Sequence, residues 1–292
     1  MLMEPVSVGL IGAGPWAGMI HAPKLAAGPD TRLAGIWARR PDAARELAAR
    51  NGTRAFELLD ELFDHCDAVA FCVPPGVQAE LGVLAAQAGK ALLLEKPLAD
   101  SLDGALRLAD AVAESGVATQ MVFSFRYAAA TETFLDRVAG IDPFGGYAAN
   151  IGGALHGGPF ATPWRLERGA ILDVGPHMID LLDAALGPIA GVRAHGNSLG
   201  WVGLLLEHET GAVSEASLTM AATGDLPDAR VEVFGRNGSA TLFGAMMGDD
   251  AFSRMVSQFA RTVRNGGGHP LDAAHGLRLQ RVIAEAERQL SA

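Results

Sequence analysis

Val6-Ser7-Val8-Gly9-Leu10-Ile11-Gly12-Ala13-Gly14-Pro15-Trp16-Ala17 is an apolar run that passes directly into a glycine-rich turn. The run to Ile11 reads as a buried strand, and Gly12, Gly14 and Ala17 stand in the spacing G-x-G-x-x-[GA]. The first glycine of that spacing permits a tight turn and the second lets backbone approach a pyrophosphate. The helix beginning near Trp16 offers free N–H groups and its positive dipole end to that anion. In a chain with 36 glycines a plain strand-to-helix turn can carry the same residues, but the position directly after the first strand favours a dinucleotide.

Working outward, apolar runs at 6–11, 33–37, 68–73 and 91–94 alternate with Ala-rich helical segments at 16–27, 41–50, 77–89 and 101–115. That rhythm predicts βαβ units and a doubly wound parallel sheet, to which Thr119-Gln120-Met121-Val122-Phe123 adds a strand. The composition changes after Tyr127, which sets a dinucleotide-binding domain over 1–122 and a second domain over 123–292. In the latter, 144–163 predicts a strand and a long loop, and Leu172 to Leu186 a helix. Strands follow at 191–196, 201–208, 212–221, 229–235 and 239–243, making an open, mostly antiparallel sheet. A last helix over Ala273–Gln289 is free to pack back toward the first domain. The fold class is α/β.

Twenty-three Lys+Arg against 33 Asp+Glu give a formal charge of -10, which repels phosphate backbones and anionic lipid. Neither nucleic acid nor a membrane is an expected partner. Cys66 and Cys72 suggest no disulfide framework, and neither they nor His21, His65, His195, His208, His269 and His275 have metal-ligand spacing, so no metal is expected. No apolar stretch approaches the ~18 residues of a membrane span, and Met1-Leu2-Met3-Glu4-Pro5 carries no basic segment. A cytoplasmic protein is expected.

The second strand ends in Ala38-Arg39-Arg40, where an NAD site usually places an acid for the ribose hydroxyls. A guanidinium pair suits a 2′-phosphate, which favours NADP(H) over NAD(H), although both arginines also read as solvated loop residues. Glu95-Lys96-Pro97 closes the run Ala91-Leu92-Leu93-Leu94 and so sets a lysine at the end of a buried strand. Lys96 is placed to hydrogen-bond a reacting oxygen and stabilise negative charge on it, although an ordinary surface lysine after a strand accounts for it as well. His177, with an ordinary pKa of about 6.5, suits proton transfer near neutrality. Asp173 and His177 are four apart and share a helix face, with Asp180 three further on to orient the imidazole. A helix start capped by Asp173 or Gly175, with Pro176 in its first turn, explains the same residues. His156 lies in the Gly-rich loop before Trp164-Arg165 and is a candidate substrate contact, though an exposed loop histidine is the more ordinary reading.

Together these residues resemble the glucose-fructose oxidoreductase / inositol 2-dehydrogenase / rhizopine catabolism (Gfo/Idh/MocA) family of NAD(P)-dependent oxidoreductases. The carriers are Gly12-Ala13-Gly14, Val73-Pro74-Pro75, Ala88-Gly89-Lys90, Glu95-Lys96-Pro97-Leu98-Ala99, Phe125-Arg126-Tyr127, Trp164-Arg165, Leu172 to Asp180 and Gly235-Arg236-Asn237-Gly238-Ser239. The resemblance implies an N-terminal Rossmann domain and a C-terminal domain whose open sheet forms a homodimer or homotetramer. It implies catalytic roles for Lys96, Asp173 and His177. It assigns cofactor contacts to Gly12, Gly14, Pro15, Trp16, Ala38, Arg39 and Arg40, then to Val73, Pro74, Pro75, Gln78, Glu95 and Lys96, and to Trp164 and Arg165. Substrate contacts fall on Arg126, Tyr127, His156, Asp173 and His177, with Phe125, Phe160 and Trp164 beside them. Two departures stand out. Gln78 occupies the region where many members carry a histidine, and the glycine cluster before the Asp motif is reduced to Gly169 with Ala170.

The function so implied is hydride transfer between nicotinamide and a secondary alcohol or ketone of a sugar, cyclitol or similar polyol. Two alternatives stay open: a cofactor-binding regulator or scaffold without turnover, and a reductase for a non-sugar carbonyl or imine.

Overall fold

The computed structural model describes residues 4–244 and 249–290. The chain divides into two compact units, Met1–Val122 with Phe252–Leu277 and Phe123–Ala251 with Arg278–Ala292.

In the first unit β1 (Val6–Ile11) is buried along its whole length, as a strand covered on both faces must be. With β2 (Thr31–Trp37), β3 (Ala68–Phe71), β4 (Ala91–Glu95) and β5 (Thr119–Val122) it forms a wholly parallel sheet in the order β2-β1-β3-β4-β5. The order turns back at β1, so β1 and β3 flank the topological switch point, the crevice where α/β sheets bind ligands. A π-helical turn, Ala17–His21, runs into α1 (Ala22–Ala26), and the Ala22 N–H donates to Ala17 O five residues back. α2 (Pro41–Arg50) opens with proline and Asp42 in its first turn, as a helix N-terminus favours. α3 (Leu59–Asp64) is a short helix outside the expected set; it buries Leu62 and Phe63. α4 (Pro75–Gln87) packs on α5 (Leu102–Ser115) so closely that a Cβ on Gly82 would lie 2.8 Å from Leu108. α5 is capped by Ser101, whose Oγ accepts from Gly104 N–H, and ends at Gly116 with φ 67°.

The second unit opens with a 3-10 turn, Ser124–Tyr127, and α6 (Ala129–Ala139). β6 (Pro143–Ile151) precedes α7 (Pro163–Arg168), α8 (Ala170–Asp173) and α9 (Gly175–Leu186). The single helix expected over Leu172–Leu186 is therefore broken at Val174, because Pro176 sits in the first turn of α9 and supplies no N–H to continue α8. β7 (Ile189–Gly196), β8 (Val202–His208), β9 (Val213–Thr219), β10 (Arg230–Gly235) and β11 (Gly238–Phe243) complete a sheet ordered β11-β10-β6-β9-β8-β7. Its pairs are antiparallel except β6 with β9, which run parallel, so the sheet is mixed. Val202, Leu204, Leu206, Ala216, Leu218, Val231 and Val233 are buried on its inner face, where α9 packs. The outer face exposes Leu205, Val213, Phe234 and Phe243.

α10 (Asp249–Asn265), which is not among the expected elements, lies with the first unit. Its buried Met255, Phe259 and Ala260 stand at helical spacing. Met255 O accepts from Gln120 Nε2 at 3.0 Å, and Ser257 Oγ donates to Asp30 Oδ2 at 2.6 Å. After it, Leu271 O accepts from Met121 N–H on the outer edge of β5. The first turn of α11 (Ala273–Leu290) bonds Thr119 through Ala273 N–H, and its later residues belong to the second unit, where Arg278 pairs with Asp183 and Gln289 bonds β7.

No helix among the described residues is long and apolar enough to cross a membrane, and no three His, Cys, Asp or Glu side chains among them gather as a metal ion requires.

Candidate active site

At the switch point Gly12 takes φ +123°, and a Cβ there would stand 2.1 Å from Cys72 O, so only glycine lets the turn after β1 meet the end of β3. Gly14 differs: no heavy atom lies within 4 Å of its Cβ position, which leaves open the approach a pyrophosphate needs. Gly12 N–H donates to Trp37 O, joining this turn to the end of β2, where Ala38 is half-buried and Arg39 and Arg40 are exposed. Neither arginine is paired with a carboxylate among the described residues. Val73 is half-buried, Pro74 exposed, and Pro75 buried in the first turn of α4. An open glycine cradle, a helix start and two uncommitted cations fit a dinucleotide.

β4 delivers Lys96 beside this turn, half-buried just past the strand's last residue. Glu95 Oε1 accepts from Trp16 Nε1 at 2.8 Å and lies 2.7 Å from His21 Nε2, while Oε2 accepts from Lys96 N–H at 3.2 Å. Gln78 fastens the same segment from below. Its Oε1 accepts from Glu95 N–H at 2.8 Å, and its Nε2 donates to Glu95 O at 2.7 Å, Pro97 O at 3.2 Å and Leu98 O at 3.1 Å. Gln78 is fully buried with its amide committed to backbone, and the Glu95 carboxylate is turned onto Trp16, His21 and the Lys96 amide. His21, which the sequence left without a role, is buried within this cluster.

The second unit holds the other half of the expected set. Asp173 ends α8 and His177 lies in the first turn of α9, both buried. The His177 ring lies 4.5 Å from Phe125, tilted by 35°, and 6.4 Å from Phe123 in an edge arrangement. Arg165 Nε is 2.9 Å from Asp173 Oδ2, and its guanidinium also lies over the Trp164 ring at 4.4 Å. Gly169, with φ +66°, would bring a Cβ within 2.0 Å of Ser198 O, so the reduced cluster keeps the glycine that the turn between α7 and α8 requires.

Asp180 takes Arg126 Nη1 at 2.9 Å, which ties the 3-10 turn to α9. Tyr127 is buried in the same 3-10 turn, as Asp173 and His177 are buried in theirs. His156 is exposed and its Nε2 donates to Ala221 O at 2.8 Å; Phe160 is half-buried in the same loop.

Residues 6–123 match the oxidoreductase family with an NAD-binding Rossmann fold, and 153–241 match the GFO/IDH/MocA C-terminal domain. Among curated relatives, glucose-6-phosphate 3-dehydrogenase of Bacillus subtilis (strain 168) is 31% identical over 120 residues, 41% of this chain and 34% of that protein. D-glucoside 3-dehydrogenase of Escherichia coli (strain K12) is 27% identical over 207 residues, 67% of this chain and 58% of that protein. The matched chain thus spans well under two thirds of either relative. The crystal structure of the WlbA dehydrogenase from Bordetella pertussis, in complex with NADH and UDP-GlcNAcA, superposes with a TM-score of 0.87 at 21% identity over 98% of this chain and 97% of that one, a likeness of fold. The two domain matches and the two glycine-fitted turns lead to one assignment: this chain belongs to the Gfo/Idh/MocA family of oxidoreductases.

Proposed function

We propose that the protein is an NAD(P)-dependent dehydrogenase or reductase acting on a secondary alcohol or ketone of a sugar, cyclitol or similar polyol. The observation that carries this reading is the position of Lys96, at the carboxyl end of β4 in the same sheet whose β1–β3 switch bears the glycine turn. The nicotinamide, when bound, supplies or accepts the hydride. Lys96 donates to the reacting oxygen and stabilises the charge that develops on it. His177 takes the hydroxyl proton during oxidation and returns it during reduction. Asp173, held by Arg165, accepts a hydrogen bond from the substrate. Sugar dehydrogenases among the relatives support the substrate class.

Arg39 and Arg40 support NADP(H) over NAD(H), because two free guanidinium groups grip a 2′-phosphate bidentately. A homodimer or homotetramer through the outer sheet face is supported by its exposed Phe234, Phe243 and Val213 and by Arg230, which pairs with Glu232 and lies 5.1 Å from the Phe243 ring. The two phenylalanines against His177 also favour a second reading, reduction of a less polar carbonyl or imine.

The test is titration with NADPH and NADH, followed by nicotinamide fluorescence, on the wild type and an Arg39→Ala/Arg40→Ala variant, then a screen of polyols and ketones. NADPH is expected to bind about tenfold or more tighter, a margin the variant loses. Binding of neither nucleotide overturns the reading in favour of a scaffold or regulator.

A further inference from the structure

His21 is a buried titratable group that the proposed chemistry does not use. It lies at the end of a π-helical turn, its Nδ1 has no hydrogen-bond partner among the described residues, and its Nε2 is 2.7 Å from Glu95 Oε1. A purely structural site of this kind is better filled by an apolar side chain, which leaves no bare polar atom in the core. The π turn is also unfavourable relative to a regular helix, and such turns persist mostly where a function needs them. Its effect here is specific. Residues five apart diverge by about 140° around a regular α-helix, whereas Trp16 and His21 reach the same carboxylate oxygen.

That carboxylate has the catalytic lysine on its other oxygen, since Glu95 Oε2 accepts the Lys96 amide. An ionised carboxylate only accepts, so His21 carries its proton on Nε2 and gives Glu95 one of three donors, with the Trp16 indole and the Lys96 amide. Trp16 follows Gly14-Pro15 directly, so one side chain bridges the nucleotide turn and the root of Lys96.

We propose that His21 is a positioning residue: by holding the Glu95 carboxylate against both Trp16 and the Lys96 amide, it sets the direction of the Lys96 amine and couples it to occupation of the glycine turn. This rests on the oxidoreductase reading for its use, not for its geometry.

The chain contains only three lysines, Lys24, Lys90 and Lys96, which makes each amine resolvable. The experiment measures the rate of amine acylation at Lys96 by peptide mass spectrometry in the full-length wild type, His21→Leu and His21→Gln, with Lys90 as the internal control and thermal unfolding as the check on folding. Since Nδ1 makes no bond, one donor suffices and glutamine can supply it. We expect His21→Leu to change the Lys96 rate by about threefold or more with Lys90 unmoved, and His21→Gln to restore it. Steady-state kinetics with the substrate found in the polyol screen should show kcat falling about tenfold in His21→Leu with the substrate KM little changed. Unchanged Lys96 acylation in His21→Leu, or a glutamine variant as impaired as the leucine one, overturns the proposal. Altered Lys96 acylation in His21→Leu, beside a wild type that binds no nucleotide and turns over no polyol or ketone, retains the positioning role and overturns the oxidoreductase reading instead. If His21→Leu fails to fold, Glu95→Gln serves as the second variant. It keeps an acceptor toward Trp16 and His21 but loses the charge, and an unchanged Lys96 rate there counts equally against the proposal.

Discussion

Arg165 Nε and Asp173 Oδ2 stand 2.9 Å apart across the Gly169 turn, so a residue read as a cofactor contact is the counter-ion of one read as catalytic. With side-chain exposures of 20% and 11% the pair is only partly wetted, and a carboxylate stripped of its cation there is poorly solvated. Arg165→Met is expected to cost about 1–3 kcal/mol of stability and to lower turnover, with urea unfolding and kcat as the measurements. Arg165→Lys keeps the charge but not the planar stacking on Trp164, and should recover less than half of the lost stability.

Replacing Lys96 by methionine preserves length and packing while removing the amine. The expected loss in kcat is about 10²–10⁴-fold, the span typical of a group that assists proton transfer or stabilises an oxyanion. Nucleotide affinity measured by fluorescence should move by less than about threefold, because the backbone of the segment is fastened by Glu95 and Gln78.

Much of the fold is legible in the residues because the first sheet is buried on both faces. Val6 to Ile11 and Ala91 to Leu94 are unbroken apolar runs for that reason, and Lys96 is conspicuous against them. α6 is harder to read, since its buried stripe is only Thr131, Phe134 and Val138 among threonines and a glutamate. The catalytic candidates stand in recognisable spacing, but their partners do not. Arg165 and Asp173 are eight residues apart across a left-handed glycine, and Trp16 and His21 converge only because a π turn departs from the regular helical period. Gln78 is visible as a departure, yet nothing in its neighbours tells that its amide faces the strand end and not the nucleotide.

Gln78→Leu should expose how much the lysine segment depends on that amide. Glu95 N–H loses its acceptor and the carbonyls of Glu95, Pro97 and Leu98 lose the amide group they share, and a loss of about 2–4 kcal/mol in urea unfolding is expected. Turnover should fall further than the population of folded protein explains, which separates positioning from simple destabilisation.

Asp30 links α10 to the loop before β2. The Ser257 hydroxyl, with help from Arg264, holds its carboxyl below the ordinary value of 3.8. A carboxyl whose pKa is depressed on folding adds stability above its unfolded value, and that stability is lost as the pH falls through the folded one. Asp30→Asn is therefore expected to lower the midpoint of thermal unfolding by up to about 3 °C at neutral pH, the effect of a half-exposed pair worth under about 1 kcal/mol. The difference from wild type should shrink below about pH 4. A gap that persists undiminished at pH 3 counts against the assignment.

β5 is completed by chain that lies 135 to 154 residues downstream, through Met255 O, Leu271 O and Ala273 N–H. During synthesis the nucleotide-binding half therefore leaves the ribosome first but cannot close until the chain through Ala273 has followed it. In that interval the Met121 amide lies on a bare strand edge, where a neighbouring nascent chain can supply the missing carbonyl as readily as its own C-terminal segment. Exchange of that segment between copies is the hazard such a late-closing edge creates.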